Sequence, residues 1–109
     1  MADRPWKHEE RTVARLIGGQ RYPANSGGRV DVEGPAMIAQ VKHLKTCSLA
    51  SLERLATELE ALGTQHGKVG VVVVKRRAGC GRVTPRLVVM TENSFKKLHG
   101  KEVTTNDGR

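Results

Sequence analysis

The chain has 109 residues, enough for one domain with a single modest core. Hydrophobic residues make up 38% of it but aromatic residues only 3%, so the core must be built from aliphatic side chains. No run approaches the ~18 consecutive apolar residues of a membrane span, and the first eleven residues are too polar for a signal peptide. We therefore expect a cytoplasmic protein.

The charge balance is strongly basic. Nineteen Lys and Arg residues stand against 11 Asp and Glu, a formal net charge of +8. Such a bias predicts a polyanionic partner, and nucleic acid is the usual one. A merely soluble basic surface and an interface with an acidic protein are the alternatives. Because aromatic residues are scarce, a platform that stacks bases of single strands is not expected.

The residues that could bind zinc are scattered. Cys47 and Cys80 are isolated from each other, and none of the four histidines lies in a cluster with them. A structural zinc site needs grouped Cys and His ligands, so no zinc is expected.

The first predicted element is a helix at 7–17. Val13, Leu16 and Ile17 have the spacing of one helix face, and the Gly18-Gly19 pair ends the helix. The end segments, 1–6 and 100–109, are predicted to be flexible around a core of about 7–98.

Three extended segments follow the helix. They are a short piece at 20–23, a strand at 29–33 and a strand at 36–44, with a turn-forming loop at 24–28. Gly34-Pro35 joins the last two strands and indicates a hairpin or tight turn.

The second half of the chain begins with a helix at 48–62, in which leucines recur every three or four residues. The valine run at 68–75 predicts a central strand covered on both faces, and a basic turn leads to a further strand at 85–90. A short helix at 91–98 should place Phe95 and Leu98 inward. The element order predicts an α/β domain in which helices flank a mixed sheet.

Four polar residues have the chemistry of a site that hydrolyses phosphodiesters. Such hydrolysis needs a hard divalent cation with oxygen ligands, and a nearby lysine can stabilise the developing negative charge. Gln40 and Lys42 lie two apart on one strand and so share a face, and a hairpin would bring Asp31 close to them. Glu10 or its neighbour Glu9 could join from the first helix.

The spacing of Asp31 and Gln40-Val41-Lys42 is similar to the D…(D/E)XK motif of the PD-(D/E)XK nuclease superfamily. The surroundings resemble its branch of archaeal and phage Holliday junction resolvases over roughly residues 7–95. The further matching features are Glu10-Arg11, Val13-Ala14, Gly18-Gly19, Arg21, Pro23, the Ser26-Gly27 loop and Lys42-His43 with Lys45. The resemblance implies a restriction-endonuclease-like fold with an αβββαβ core.

The resemblance also implies the roles of individual residues. Glu10, Asp31 and Gln40 would bind Mg²⁺ or Mn²⁺ together with the backbone carbonyl of Val41. Lys42 would be the catalytic lysine, and Ser26 would lie near the scissile phosphate. The chain departs from the family at Gln40, where an acid is expected, and Glu33, two residues beyond Asp31, is a candidate to compensate.

The resemblance implies a homodimer that cuts branched DNA such as Holliday junctions, in the host cytoplasm if a phage encodes it. The residues expected to contact DNA are Arg21, Ser26, Arg29, His43, Lys45, Arg76, Arg77 and Arg82. Two alternatives remain open at this point. One is a DNA-binding protein that has kept the fold and lost the metal site, and the other is an RNA-binding protein.

Overall fold

The computed structural model describes residues 5–21, 30–79 and 81–107, with the backbone alone at 5, 6 and 100–107. These residues form an α/β fold in the predicted order of elements. The described helices and strands are α1 (Pro5–Leu16), β1 (Gln20–Arg21), β2 (Val32–Glu33), β3 (Met37–Leu44), α2 (Leu49–His66), β4 (Val69–Arg76), β5 (Arg86–Val89) and α3 (Glu92–Asp107).

The strands of the described segments form one mixed sheet in the order β1-β2-β3-β4-β5. The pairs β1–β2, β2–β3 and β4–β5 are antiparallel, whereas β3 and β4 are parallel. A parallel pair needs a crossover connection, and α2 provides it. The carboxyl ends of β3 and β4 consequently meet at one edge of the sheet, the usual position of ligand sites in α/β folds.

The valine run is buried on both faces of the sheet, as predicted. Val71 and Val73 belong to a cluster on the side of α1, where Val13 is fully buried. Val72 and Val74 pack with Leu59 of α2 on the other side. Alternation along a strand explains the division, and it makes β4 the centre of the core.

Two glycines allow α2 to pack directly on β4. A Cβ atom on Gly70 would overlap the carbonyl oxygen of Leu59, and one on Gly63 would lie 2.6 Å from the backbone nitrogen of Gly70. We expect Gly70→Ala to lower the free energy of unfolding by about 1–3 kcal/mol or more, because the helix would have to move away from the sheet. Urea denaturation measures the change. Gly79→Ala is the matched control, since a Cβ there meets no atom within 4 Å, and an equal loss in both variants would contradict the prediction.

The prediction for the last helix was wrong in its orientation and its length. Phe95 and Leu98 are 50% and 47% exposed rather than inward-facing. The inward position belongs to Ser94, which is 1% exposed and whose N–H donates to Oγ1 of Thr91 at 3.1 Å. Phe95 follows Ser94 and is turned about 100° away from it around the helix axis. The helix also continues to Asp107 instead of ending at Leu98.

Across the described segments, no helix combines the length and the apolar character needed to cross a bilayer.

Candidate metal and nucleic-acid site

Asp31 lies at a break in the pairing of β2 with β3. Val32 is the register partner of Ala39, yet the N–H of Asp31 also donates to the carbonyl oxygen of Ala39 at 2.9 Å. Asp31 and Val32 thus both lie opposite the single residue Ala39, as in a β-bulge. Bulges commonly redirect a side chain beside an active site. Beyond the break, the N–H of Val41 donates to Oδ2 of Asp31 at 2.8 Å. The carboxylate therefore takes the place of a strand partner at the edge of β3.

The carbonyl of Val41 faces the same edge. The carbonyl oxygens of Ala36 and Leu44 accept from the N–H groups of Val69 and Arg77, so the even-numbered residues of β3 direct their backbone groups toward β4. The odd-numbered residues face the other way, and the N–H and C=O of one strand residue leave on the same side. The two oxygens that the resemblance assigns to a metal, on Asp31 and Val41, thus lie on the same side of β3, the side that faces away from β4.

The electrostatic surroundings of Asp31 bring together the separate parts of the predicted site. Burial raises the pKa of this carboxyl above its ordinary value, and this effect outweighs the hydrogen bond from Val41, which lowers the pKa. The negative charge of Glu10 raises the pKa further, whereas the positive charges of Lys42 and Arg21 lower it. Glu10 and Lys42 therefore both lie within electrostatic range of the Asp31 carboxyl.

The two glutamates of α1 have different partners. Glu9 is 4% exposed, and Arg86 of β5 binds its two oxygens through a fork at 2.7 and 3.3 Å. This contact fastens α1 to the far edge of the sheet. Glu10 receives a bond of 2.9 Å from Nε of Arg21 and raises the pKa of Asp31. Of the two candidates that the sequence left open, Glu10 is the one whose charge acts on Asp31.

Gln40 carries a buried oxygen without a partner. The residue is 9% exposed, and its Oε1 makes no hydrogen bond to any described residue. An unsatisfied buried acceptor costs about 1–3 kcal/mol. The amide oxygen is a ligand type that hard cations accept. Gln40 is the register partner of Val72, which packs with α2, so its side chain lies on the α2 face of the sheet, whereas α1, which carries Glu10, packs on the other face.

The oxygen donors fit Mg²⁺ or Mn²⁺ by their chemistry. Glu10 and Asp31 offer carboxylates, Gln40 an amide oxygen and Val41 a carbonyl, which are the ligand types of hard divalent ions. Within the described ranges, no group of three or more His, Cys, Asp or Glu residues has the arrangement to hold a metal. A cation here would thus rely on neutral oxygens as well as on two carboxylates.

The raised pKa of Asp31 predicts that this carboxylate destabilises the fold. Its folded pKa exceeds the ordinary value of 3.8, so stability falls as pH rises from 3.8 through the folded pKa, and the cost is complete above the folded pKa. Asp31→Asn should unfold at a higher temperature than the unchanged protein at pH 7, because the amide oxygen can still accept from Val41. The difference should shrink as pH falls through the folded pKa of Asp31 and vanish below 3.8. Thermal unfolding across this pH range measures both, and a less stable variant at pH 7 would contradict the prediction.

A basic groove of about 490 Å³ opens at the carboxyl ends of β3 and β4. Five of the residues predicted to contact DNA line it. They are His43, Lys45, Arg76, Arg77 and Arg82. None of the described residues that line it carries a carboxylate, so this part of the groove has a positive field of the kind that phosphates neutralise.

Lys75 and Thr84 complete the groove and were missed from the sequence. Thr84 is 7% exposed, and its hydroxyl donates to the carbonyl oxygen of Arg76 at 2.7 Å. Nζ of Lys75 donates to the carbonyl oxygen of Thr84 at 2.6 Å and to its hydroxyl at 3.2 Å. These bonds hold the turn after β4 against the strand end. The available signal was the position of Lys75 at the end of the valine run, where a central parallel strand reaches its ligand-binding edge.

Three predicted DNA contacts are not among the described residues that line the groove. Arg21 pairs with Glu10, so its guanidinium neutralises the candidate metal site instead of lining the DNA path. Ser26 and Arg29 lie outside the described residues. Glu33, the acid considered as a substitute for Gln40, forms an ion pair with Lys68 and is not among the groups that shift the pKa of Asp31.

One strand connects the two parts of the site. Val41 holds Asp31, and His43 begins the basic groove two residues later. Lys42 lies between them along β3.

Comparisons of the chain with models of protein families, with curated proteins and with solved structures found no match.

Proposed function

We propose that this protein is a Mg²⁺- or Mn²⁺-dependent endonuclease that cuts branched DNA, with Holliday junctions as the expected substrate. The observation that carries the proposal is the position of the Asp31 carboxylate. It is bonded to the Val41 N–H, within electrostatic range of Glu10 and Lys42, and next to a groove lined by cations.

Each polar residue of the site has a part in this chemistry. Glu10, Asp31, Gln40 and the carbonyl of Val41 would hold the cation, which when bound polarises the scissile phosphate and lowers the pKa of a water molecule. The ammonium group of Lys42 orients the water and stabilises the negative charge that develops on the phosphate. Ser26, by the resemblance, would lie near the scissile phosphate.

The basic groove binds the DNA backbone. Its cations neutralise phosphates without reading bases, which suits an enzyme that recognises the shape of a junction. Two opposed strands must be cut, so we expect a homodimer with two sites. Exposed apolar residues on β5 and α3, including Val88 and Phe95, favour such an association.

Cleavage of a labelled four-way junction tests the proposal. The junction and a linear duplex of the same sequence are incubated with the protein in Mg²⁺, in Mn²⁺ and in EDTA. We expect cleavage of the junction that requires metal and exceeds cleavage of the duplex. Gln40→Glu should tighten metal binding, because a carboxylate adds the charge that the amide lacks.

The second candidate is a DNA-binding protein without catalysis, and Gln40 is the observation that favours it. A neutral ligand weakens the hold on a divalent cation. Tight junction binding with no cleavage in either metal, unaltered in Lys42→Ala, would support this candidate and contradict the endonuclease. Competition between duplex RNA and junction DNA distinguishes the endonuclease and the DNA-binding protein from an RNA-binding protein, which would prefer the duplex RNA.

A further inference from the structure

An apolar pocket of about 240 Å³ lies beside the basic groove. Four elements supply its aliphatic wall. These residues are Leu44 of β3, Leu52 of α2, Val74 of β4 and Leu87 of β5. Pro85 and Cys47 complete the rim, and the pocket opens at the same end of the sheet as the groove.

The pocket and the groove are continuous. Lys45, Arg76 and Thr84 line both of them. A single ligand can therefore occupy the pocket with one part and the groove with another. A cationic groove joined to an apolar pocket matches a molecule with an anionic part and a flat, weakly polar part. A nucleotide has this composition.

We propose that the apolar pocket takes the base of an unpaired nucleotide whose phosphate lies in the basic groove. The inference rests on the proposed action on DNA and specifies the substrate as DNA with an unpaired nucleotide. A paired base stays in the stack, since extruding it costs several kcal/mol, whereas an unpaired base enters at little cost. The aliphatic wall replaces the aromatic platform that this sequence lacks.

The charge at the mouth favours a nucleotide over a second copy of the chain. Lys45 and Arg76 stand where pocket and groove meet, and the chain carries a net charge of +8. Another copy would bring like charge to this position, which opposes association. A phosphodiester backbone brings the opposite charge.

Binding measurements in EDTA test the inference without any cleavage. Three duplexes of one sequence are compared: a fully paired one, one with a single extra unpaired base, and one with an abasic unit at the extra position. We expect the unpaired base to bind about tenfold more tightly than the abasic unit, because the pocket removes the apolar surface of the base from water. Equal affinities for these two would overturn the inference.

A pocket-filling variant and a matched control make the test specific. Leu87 is 55% exposed, so Leu87→Trp fills the pocket from its rim without entering the core. Leu49→Trp alters a residue that is 81% exposed and does not line the pocket. Leu87→Trp should remove the preference for the unpaired base and keep the affinity for paired DNA, whereas Leu49→Trp should leave both unchanged.

A chemical readout needs no mutation. Cys47 is exposed and lines the pocket, so N-ethylmaleimide should modify it, and peptide mapping follows it separately from Cys80. The duplex with the unpaired base should slow this reaction more than the abasic duplex does. Equal protection by both, or a dimer that Leu87→Trp dissociates while base preference is unchanged, would overturn the inference.

The outcomes also separate this inference from the proposed function. A preference for the unpaired base without cleavage in Mg²⁺ or Mn²⁺ would keep the pocket and remove the endonuclease. Metal-dependent cleavage of junctions without a preference for the unpaired base would keep the endonuclease and remove the pocket proposal. Absence of DNA binding would remove both.

Discussion

Replacing Lys42 with alanine is expected to lower the rate of junction cleavage by about 100-fold or more, while binding of the junction in EDTA stays nearly unchanged. Lys42 lies on β3 between Val41 and His43 and acts electrostatically on Asp31. Its ammonium group would be most important when negative charge develops on the phosphate, and one charge among many contributes little to ground-state binding. Single-turnover cleavage and a gel-shift titration measure the two quantities.

Lys96→Ala is the control for Lys42→Ala. It removes one positive charge from an exposed position on α3, away from the Asp31 site, and should leave the cleavage rate unchanged. Cleavage by Lys42→Ala at the rate of the unchanged protein would place the reaction elsewhere. A parallel loss of binding and cleavage would make Lys42 a phosphate contact only.

Neutralising Arg76, Arg77 and Arg82 together as glutamines is expected to weaken DNA binding strongly and to reduce its dependence on salt. Each lost phosphate contact lowers the slope of log affinity against log salt by about 1, so the triple variant should lose about 3. The three side chains line the groove. Titrations of one junction at several salt concentrations measure the slope.

The matched control neutralises three exposed cations outside the groove: Arg54, Lys96 and Lys97. It lowers the net charge equally, so any difference between the two variants reports position and not total charge. If both variants lose the same slope, DNA binds to the overall positive charge of the surface and the groove has no special part. Metal binding by Asp31 should be the same in both.

The fold was predictable to a large extent because its signals are local. Alternation along 36–44, the leucine spacing of α2 and the buried valine run of β4 each report the geometry of a few neighbouring residues. Phe95 and Leu98 show where such reasoning fails. Their apolar character predicted burial, yet the cap of α3 turns Ser94 toward the core instead.

The candidate site depended on contacts between distant parts of the chain. Asp31, Val41 and Lys42 were named from a motif, but the bulge that places the Asp31 carboxylate on the Val41 N–H does not follow from strand alternation. Glu9 and Glu10 are equivalent in sequence until Arg86, 77 positions away from Glu9, binds one of them.

Length, charge and periodicity were thus sufficient for an aliphatic α/β domain with a basic surface, because these properties depend on composition and on neighbours along the chain. The pairing of Arg21 with Glu10, the placing of Lys75 beside Thr84 and the continuity of groove and pocket required the folded chain. These contacts form between strand ends and turns that are remote in sequence, and no pattern of neighbouring residues encodes contacts between remote segments.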